Sequence, residues 1–158
     1  MNQTTKYITL SRQELAEACD LAEKRMNGVK DLGLHDKHGA SNLKNLEYHL
    51  LGARGEIAFR KFLGSDEALT VNTFRSTPDV KNYEVRTRRE DHFDLILRKD
   101  DPDHKIYVLV TGSGCKYKIV GWIRGSERYE HETKTYNDRP KAWFVPQSAL
   151  HHMDDLPA

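Results

Sequence analysis

In Pro78-Asp79-Val80-Lys81-Asn82-Tyr83-Glu84-Val85-Arg86, residue types and spacing together could do chemistry. Asp79 and Glu84 are carboxylates separated by a short polar step, Lys81-Asn82. If that step closes a hairpin, the two acids meet across the ladder. Carboxylates held so close raise each other's pKa unless they share a cation. Mg²⁺ takes oxygen ligands and keeps several waters, so two carboxylates and a backbone carbonyl suffice to hold it. There it would polarise a phosphate oxygen and lower the pKa of an attacking water. In Tyr83-Glu84-Val85-Arg86-Thr87, strand alternation puts Glu84 and Arg86 on one face and the other three on the opposite face. The competing reading is a turn aspartate followed by a surface Glu84–Arg86 pair, an arrangement that contributes only about 0–1 kcal/mol.

Two helices must come before these residues. Ser11 followed by Glu14 is a capping box, and Leu15, Ala18, Cys19, Ala22 and Met26 recur behind it at helical spacing until Asn27-Gly28. Residues 28–42 read as a loop rich in glycine. A second helix covers Leu43 to Leu63, with Leu43, Leu46, Leu50, Ala53 and Ile57 as its buried stripe and Gly64 as its C-cap. Gly52 and Gly55 inside it cost about 1 kcal/mol each relative to alanine, which predicts that another backbone approaches there. Glu56 borders the apolar stripe. From residue 68 the period changes to two. Ala68–Phe74, Tyr83–Thr87, Phe93–Arg98, Ile106–Thr111, Tyr117–Ile123 and Ala142–Val145 read as strands, and residues 7–10 as an extended lead-in. Asp100-Asp101-Pro102-Asp103 and Gly112-Ser113-Gly114 read as turns. The expectation is a single α+β domain over 1–158: helices in 6–63 packed on one face of a mixed or antiparallel meander in 68–124, then an excursion, a last strand and a frayed tail in 125–158.

With these motifs in this order, the chain resembles the PD-(D/E)XK nuclease superfamily, which has the restriction-endonuclease-like fold. Pro78-Asp79 matches that family's leading Pro-Asp, and Glu84-Val85-Arg86 its acid-x-lysine with arginine in place of lysine. Gly55-Glu56 matches the helical glutamate many members use as an extra metal ligand. The resemblance spans roughly residues 43–124 and is to small stand-alone members met in bacteriophage and prokaryotic genomes. It implies Mg²⁺-dependent hydrolysis of phosphodiesters in DNA, with Mn²⁺ as a substitute ion. It also implies that Glu56, Asp79, Glu84 and the Val85 carbonyl bind the metal. Arg86 holds its proton and so cannot be a general base, but it can orient water or stabilise charge on the phosphate. Lys81 and Lys118 are candidates for the lysine's role. The alternative is a nuclease fold of little or no activity that binds nucleic acid or a protein partner; a homodimer is a further expectation.

A second group is basic. Arg88 shares the face of Arg86, and Lys118 lies on another strand; with Lys81 they are the candidate phosphate contacts, which would position DNA without reading sequence. Glu90, Asp91 and Asp94 offset this charge, and Arg89 reads as strand exterior. The formal net charge is only +1, so any polyanion site must be a local patch. Two distant cysteines, Cys19 and Cys115, exclude a disulfide framework and a cysteine zinc site. His35, His38 and His49 make a weak zinc pattern, His92 reads as a surface residue, and Trp122 and Trp143 read as core. No signal-peptide pattern or membrane-length apolar run is present, so a cytoplasmic setting is expected. No nucleophile elbow, Walker A or dinucleotide glycine motif occurs.

Overall fold

The structure, a computed structural model, describes residues 6–31, 42–71, 78–135 and 139–158. The capping box forms as expected. The Ser11 N–H donates to Glu14 Oε1 at 2.8 Å and the Glu14 N–H to Ser11 Oγ at 3.1 Å. Helix α1 then runs from Arg12 to Asp31, past Asn27-Gly28 where the sequence predicts its end. One glycine weakens a helix without breaking its hydrogen bonding. Helix α2 covers Asn42–Phe62. It stops where Gly64 turns left-handed at φ 70°, with the Gly64 N–H donating to the Lys61 carbonyl at 3.0 Å and the Ser65 N–H to that of Arg60 at 3.1 Å.

Among the described residues, seven strands complete the fold: β1 (Lys6–Thr9), β2 (Tyr83–Arg88), β3 (Leu95–Arg98), β4 (Ile106–Ser113), β5 (Lys116–Arg124), β6 (Thr133–Lys134) and β7 (Ala142–Val145). The α+β expectation holds, with the helices on a central mixed sheet. That sheet has the order β1-β5-β4-β2; β2 and β4 are parallel and the other pairs antiparallel. β4 is buried on both faces, as its continuous Ile-Tyr-Val-Leu-Val run requires. Val108 and Val110 face the helices in one core with Ala53, Ile57 and Phe59. Tyr107 and Leu109 face the other way.

The simple meander is not what forms. β3 leaves the first sheet and pairs with β7, which pairs with β6, making a small antiparallel sheet. Leu95, Leu97 and Val145 of that sheet cover Tyr107, Leu109 and Ile123. The described residues beyond 124 are therefore part of the body. The chain end is docked instead of frayed: Trp122 donates its indole N–H to the His152 carbonyl at 2.8 Å, Met153 is buried, and the Tyr83 hydroxyl donates to the Pro157 carbonyl. Of the strand expected at Ala68–Phe74, residues 68–71 are irregular and 72–74 lie outside the described residues. The Thr70 carbonyl accepts from Arg25 rather than from a ladder. Among the described residues, no helix is long and apolar enough to cross a membrane.

Candidate functional site

The predicted hairpin positions the first acid. Val80 and Tyr83 exchange backbone hydrogen bonds of 3.1 and 2.9 Å around Lys81-Asn82, with Lys81 left-handed at φ 52°. Asp79 thereby lies beside β2, the edge strand of the first sheet, and its Oδ2 accepts the Val85 N–H at 2.8 Å. In a strand, one residue's N–H and C=O point to the same side, so the Val85 carbonyl also faces this edge.

Glu84 follows on β2, and Glu56 comes from the one stretch of α2 where successive residues 55–59 are all buried. That burial follows from Gly55. A Cβ there would stand 1.8 Å from Thr87 Oγ1, so only glycine lets α2 lie this close to β2. Gly52 has open space around it and does not share that role.

The three carboxylates feel one another. Burial first, then the charges of Glu56 and Glu84, push Asp79 up to about 7, against the pull of the Val85 N–H. Hydrogen bonding with Glu84 adds a smaller push upward on Asp79. Burial raises Glu56 as well, offset by Arg25 and reinforced by Glu84.

Each outer acid has a cation. Arg25 of α1 forks onto Glu56 at 2.5 and 3.1 Å, with side chains only 10% and 5% exposed. The Lys105 ammonium, just before β4, meets Glu84 Oε1 at 2.9 Å. Sequence reasoning missed both residues. Arg25 carried a signal, a cation on the α1 stripe one turn after Ala22. Lys105 did not, because only the parallel pairing of Glu84 with Tyr107 brings it alongside.

Arg86 shares Glu84's face, as alternation predicts, and its partner is Asp101 at 2.7 Å, with the guanidinium over the Tyr107 ring at 5.1 Å. Asp101 is itself fixed: its Oδ2 accepts the Arg98 N–H, and buried Arg128 donates to the carbonyls of Arg98 and Asp101 and to Asp103. Arg88, Thr111 and Lys118 form one row across β2, β4 and β5. Arg88 donates to the Asp94 carbonyl at 2.9 Å, and Lys118 pairs with Asp91 at 3.5 Å. Lys81 is exposed at the hairpin tip.

Among the described residues, no three His, Cys, Asp or Glu side chains stand ready as a metal cage. His35 and His38 lie outside the described residues. His49 is held below its ordinary pKa by burial and by Arg25, so it belongs to the Arg25–Glu56 neighbourhood. The donor chemistry still fits a hard divalent ion: three mutually repelling carboxylates beside an edge carbonyl, with Asp79 paired to no cation among the described residues. The chain matches no protein-family model, no curated protein and no solved structure.

Proposed function

We propose that this protein is a metal-dependent nuclease hydrolysing phosphodiester bonds in DNA, a PD-(D/E)XK-type enzyme of restriction-endonuclease-like build. The convergence of Glu56, Asp79 and Glu84, which leaves Asp79 at about 7, carries this reading. Such a cluster holds a proton or a cation at neutral pH, and the ligands for Mg²⁺ or Mn²⁺ would be these three acids with the Val85 carbonyl. When bound, the ion would polarise the scissile phosphate and acidify an attacking water.

The rest of the chemistry falls to the chain. Lys105, on Glu84, takes the place that acid-x-lysine spacing would give to residue 86, as a donor to water or phosphate. Arg86 serves phosphate charge from its Asp101-fixed position. Arg88 and Lys118 extend the same face toward the DNA backbone. Both cysteines are free thiols, which supports a reducing cytoplasmic setting.

One observation favours a second reading, a nuclease-fold module that binds nucleic acid or a protein without cutting. Arg25 and Lys105 already neutralise two of the three acids without any metal. A cleavage assay with Mg²⁺ or Mn²⁺ on wild type, Asp79→Ala and Arg86→Lys decides, alongside calorimetric titration of each ion. Metal-dependent cutting lost in Asp79→Ala supports the nuclease. Inert wild type and Arg86→Lys, with no ion bound, gives the protein to the second reading.

A further inference from the structure

Beyond the acids, β2 ends at a different surface. Its last residue, Arg88, is four positions from Glu84 on the same face, about 13 Å along the strand. There it borders a hollow of about 610 Å³. The floor is the outward face of the small sheet, where Ile96 pairs with Phe144 and Arg98 with Ala142, which also pairs with Lys134. Among the described residues, four cations line this hollow, Arg88, Arg98, Lys134 and Arg139, against one carboxylate, Asp94. In a chain of net charge +1 this is a concentrated patch.

The cations are interleaved with aromatic rings. The Arg88 guanidinium lies over Phe93 at 4.2 Å, and the Lys134 ammonium over Phe144 at 5.1 Å. Arg88 and Phe93 also wall a second hollow of about 520 Å³ toward α2, lined by Lys44, Tyr48 and Arg89 together with the carboxylates of Glu47 and Glu90. Two adjoining hollows thus share a cation–aromatic wall.

We infer that this double hollow is a binding site for single-stranded DNA, with bases stacked on Phe93 and Phe144 and phosphates held by Arg88, Lys134 and Arg139. The choice of DNA among polyanions rests on the nuclease reading. The choice of a single strand rests on the surface itself. Unstacked bases offer π-faces that aromatic and guanidinium planes can cover, and a paired duplex hides those faces in its own stack.

The test is fluorescence anisotropy of labelled oligothymidylate, a duplex of equal length and oligouridylate, in EDTA so that no strand is cut. Wild type should bind the thymidylate strand at least about ten-fold tighter than duplex, a gap of about 1.4 kcal/mol. The double variant Lys134→Gln/Arg139→Gln should lower the slope of log K against log salt by about 1.4, two single-strand phosphate contacts. Phe144→Ala should weaken binding about five-fold or more with the salt slope unchanged, as loss of a stacked base requires. If that variant melts in circular dichroism, the charge variant, whose side chains are exposed or at the pocket rim, still decides. Duplex bound as tightly as the strand, uridylate preferred to thymidylate, displacement by polyglutamate at equal charge, or wild-type binding by the folded variants each overturns the proposal. Strand binding without any metal-dependent cleavage removes only the nuclease reading, whereas cleavage with wild-type KM in the charge variant removes only this site.

Discussion

The Lys105 ammonium stands 2.9 Å from Glu84 Oε1; Glu84 lies on β2, and Lys105 immediately precedes β4, the parallel neighbour of β2. This relation changes the meaning of the acid-x-arginine spelling. The cation two residues after Glu84 is bonded to Asp101, and the cation at Glu84 is supplied by Lys105, the residue that leads into β4. Lys105→Met should therefore lower the single-turnover rate of Mg²⁺-dependent cleavage by about 100-fold or more, as loss of one charged donor at a reacting phosphate does. Arg86→Lys should stay within about ten-fold of wild type, a change of no more than about 1.4 kcal/mol in the barrier. The reverse ranking would return the lysine's role to residue 86.

Arg25 and Glu56 give the second prediction. A buried ion pair of good geometry is strongly destabilising to break from one side, because the other charge stays behind. Arg25→Gln should lower stability in EDTA by about 3 kcal/mol or more in urea denaturation. The same variant should bind Mg²⁺ more tightly than wild type by calorimetry, since a guanidinium and a metal compete for one carboxylate. An unchanged metal affinity would separate Glu56 from the metal ligands.

Asp79 sets the pH dependence. Its pKa is raised from 3.8 to about 7 in the folded, metal-free protein, so the native state binds a proton that the unfolded chain releases first. Stability from this group is full below about pH 4 and is lost as pH rises toward 7. In EDTA, Tm should fall between those limits for wild type more steeply than for Asp79→Asn, which has no proton to lose. Mg²⁺ at pH 7.5 should recover Tm in wild type and not in Asp79→Asn. A parallel pair of Tm–pH curves would show that Asp79 is not the titrating group.

Local signals made much of this legible. A capping box, a helix-ending glycine and a Lys81-Asn82 turn each act through bonds within a few residues, and each forms where the sequence places it. Alternation along β2 likewise fixes which face Glu84 and Arg86 share. What could not be read is the pairing of strands distant in sequence. The period of two in Phe93–Arg98 is the same whether that strand stays in the first sheet or, as here, joins β7 in a second. The parallel alignment of β2 with β4 follows from that departure, and Lys105 arrives at Glu84 only through it. The docked tail was hidden for a related reason: its few apolar residues matter only because Trp122 stands ready to receive them.

The two glycines of α2 look alike in sequence and differ in the fold, which yields the last prediction. Gly52 faces open space, so Gly52→Ala should stabilise the protein by about 0.5–1 kcal/mol through helix propensity alone. Gly55→Ala would set a methyl 1.8 Å from Thr87 Oγ1 and 2.7 Å from Thr87 Cβ. Threonine is branched at Cβ and cannot swing clear, so the helix must move off β2, at about 1–3 kcal/mol. Glu56 is the next residue and would move with it, away from Asp79 and Glu84. Gly55→Ala should thus weaken Mg²⁺ binding as well as lower Tm, whereas Gly55→Ala combined with Thr87→Gly, which removes the Cβ as well as the hydroxyl and methyl in the way, should restore the metal affinity and part of the Tm. Recovery of Tm without recovery of metal affinity would mean that the helix position does not set the acid cluster.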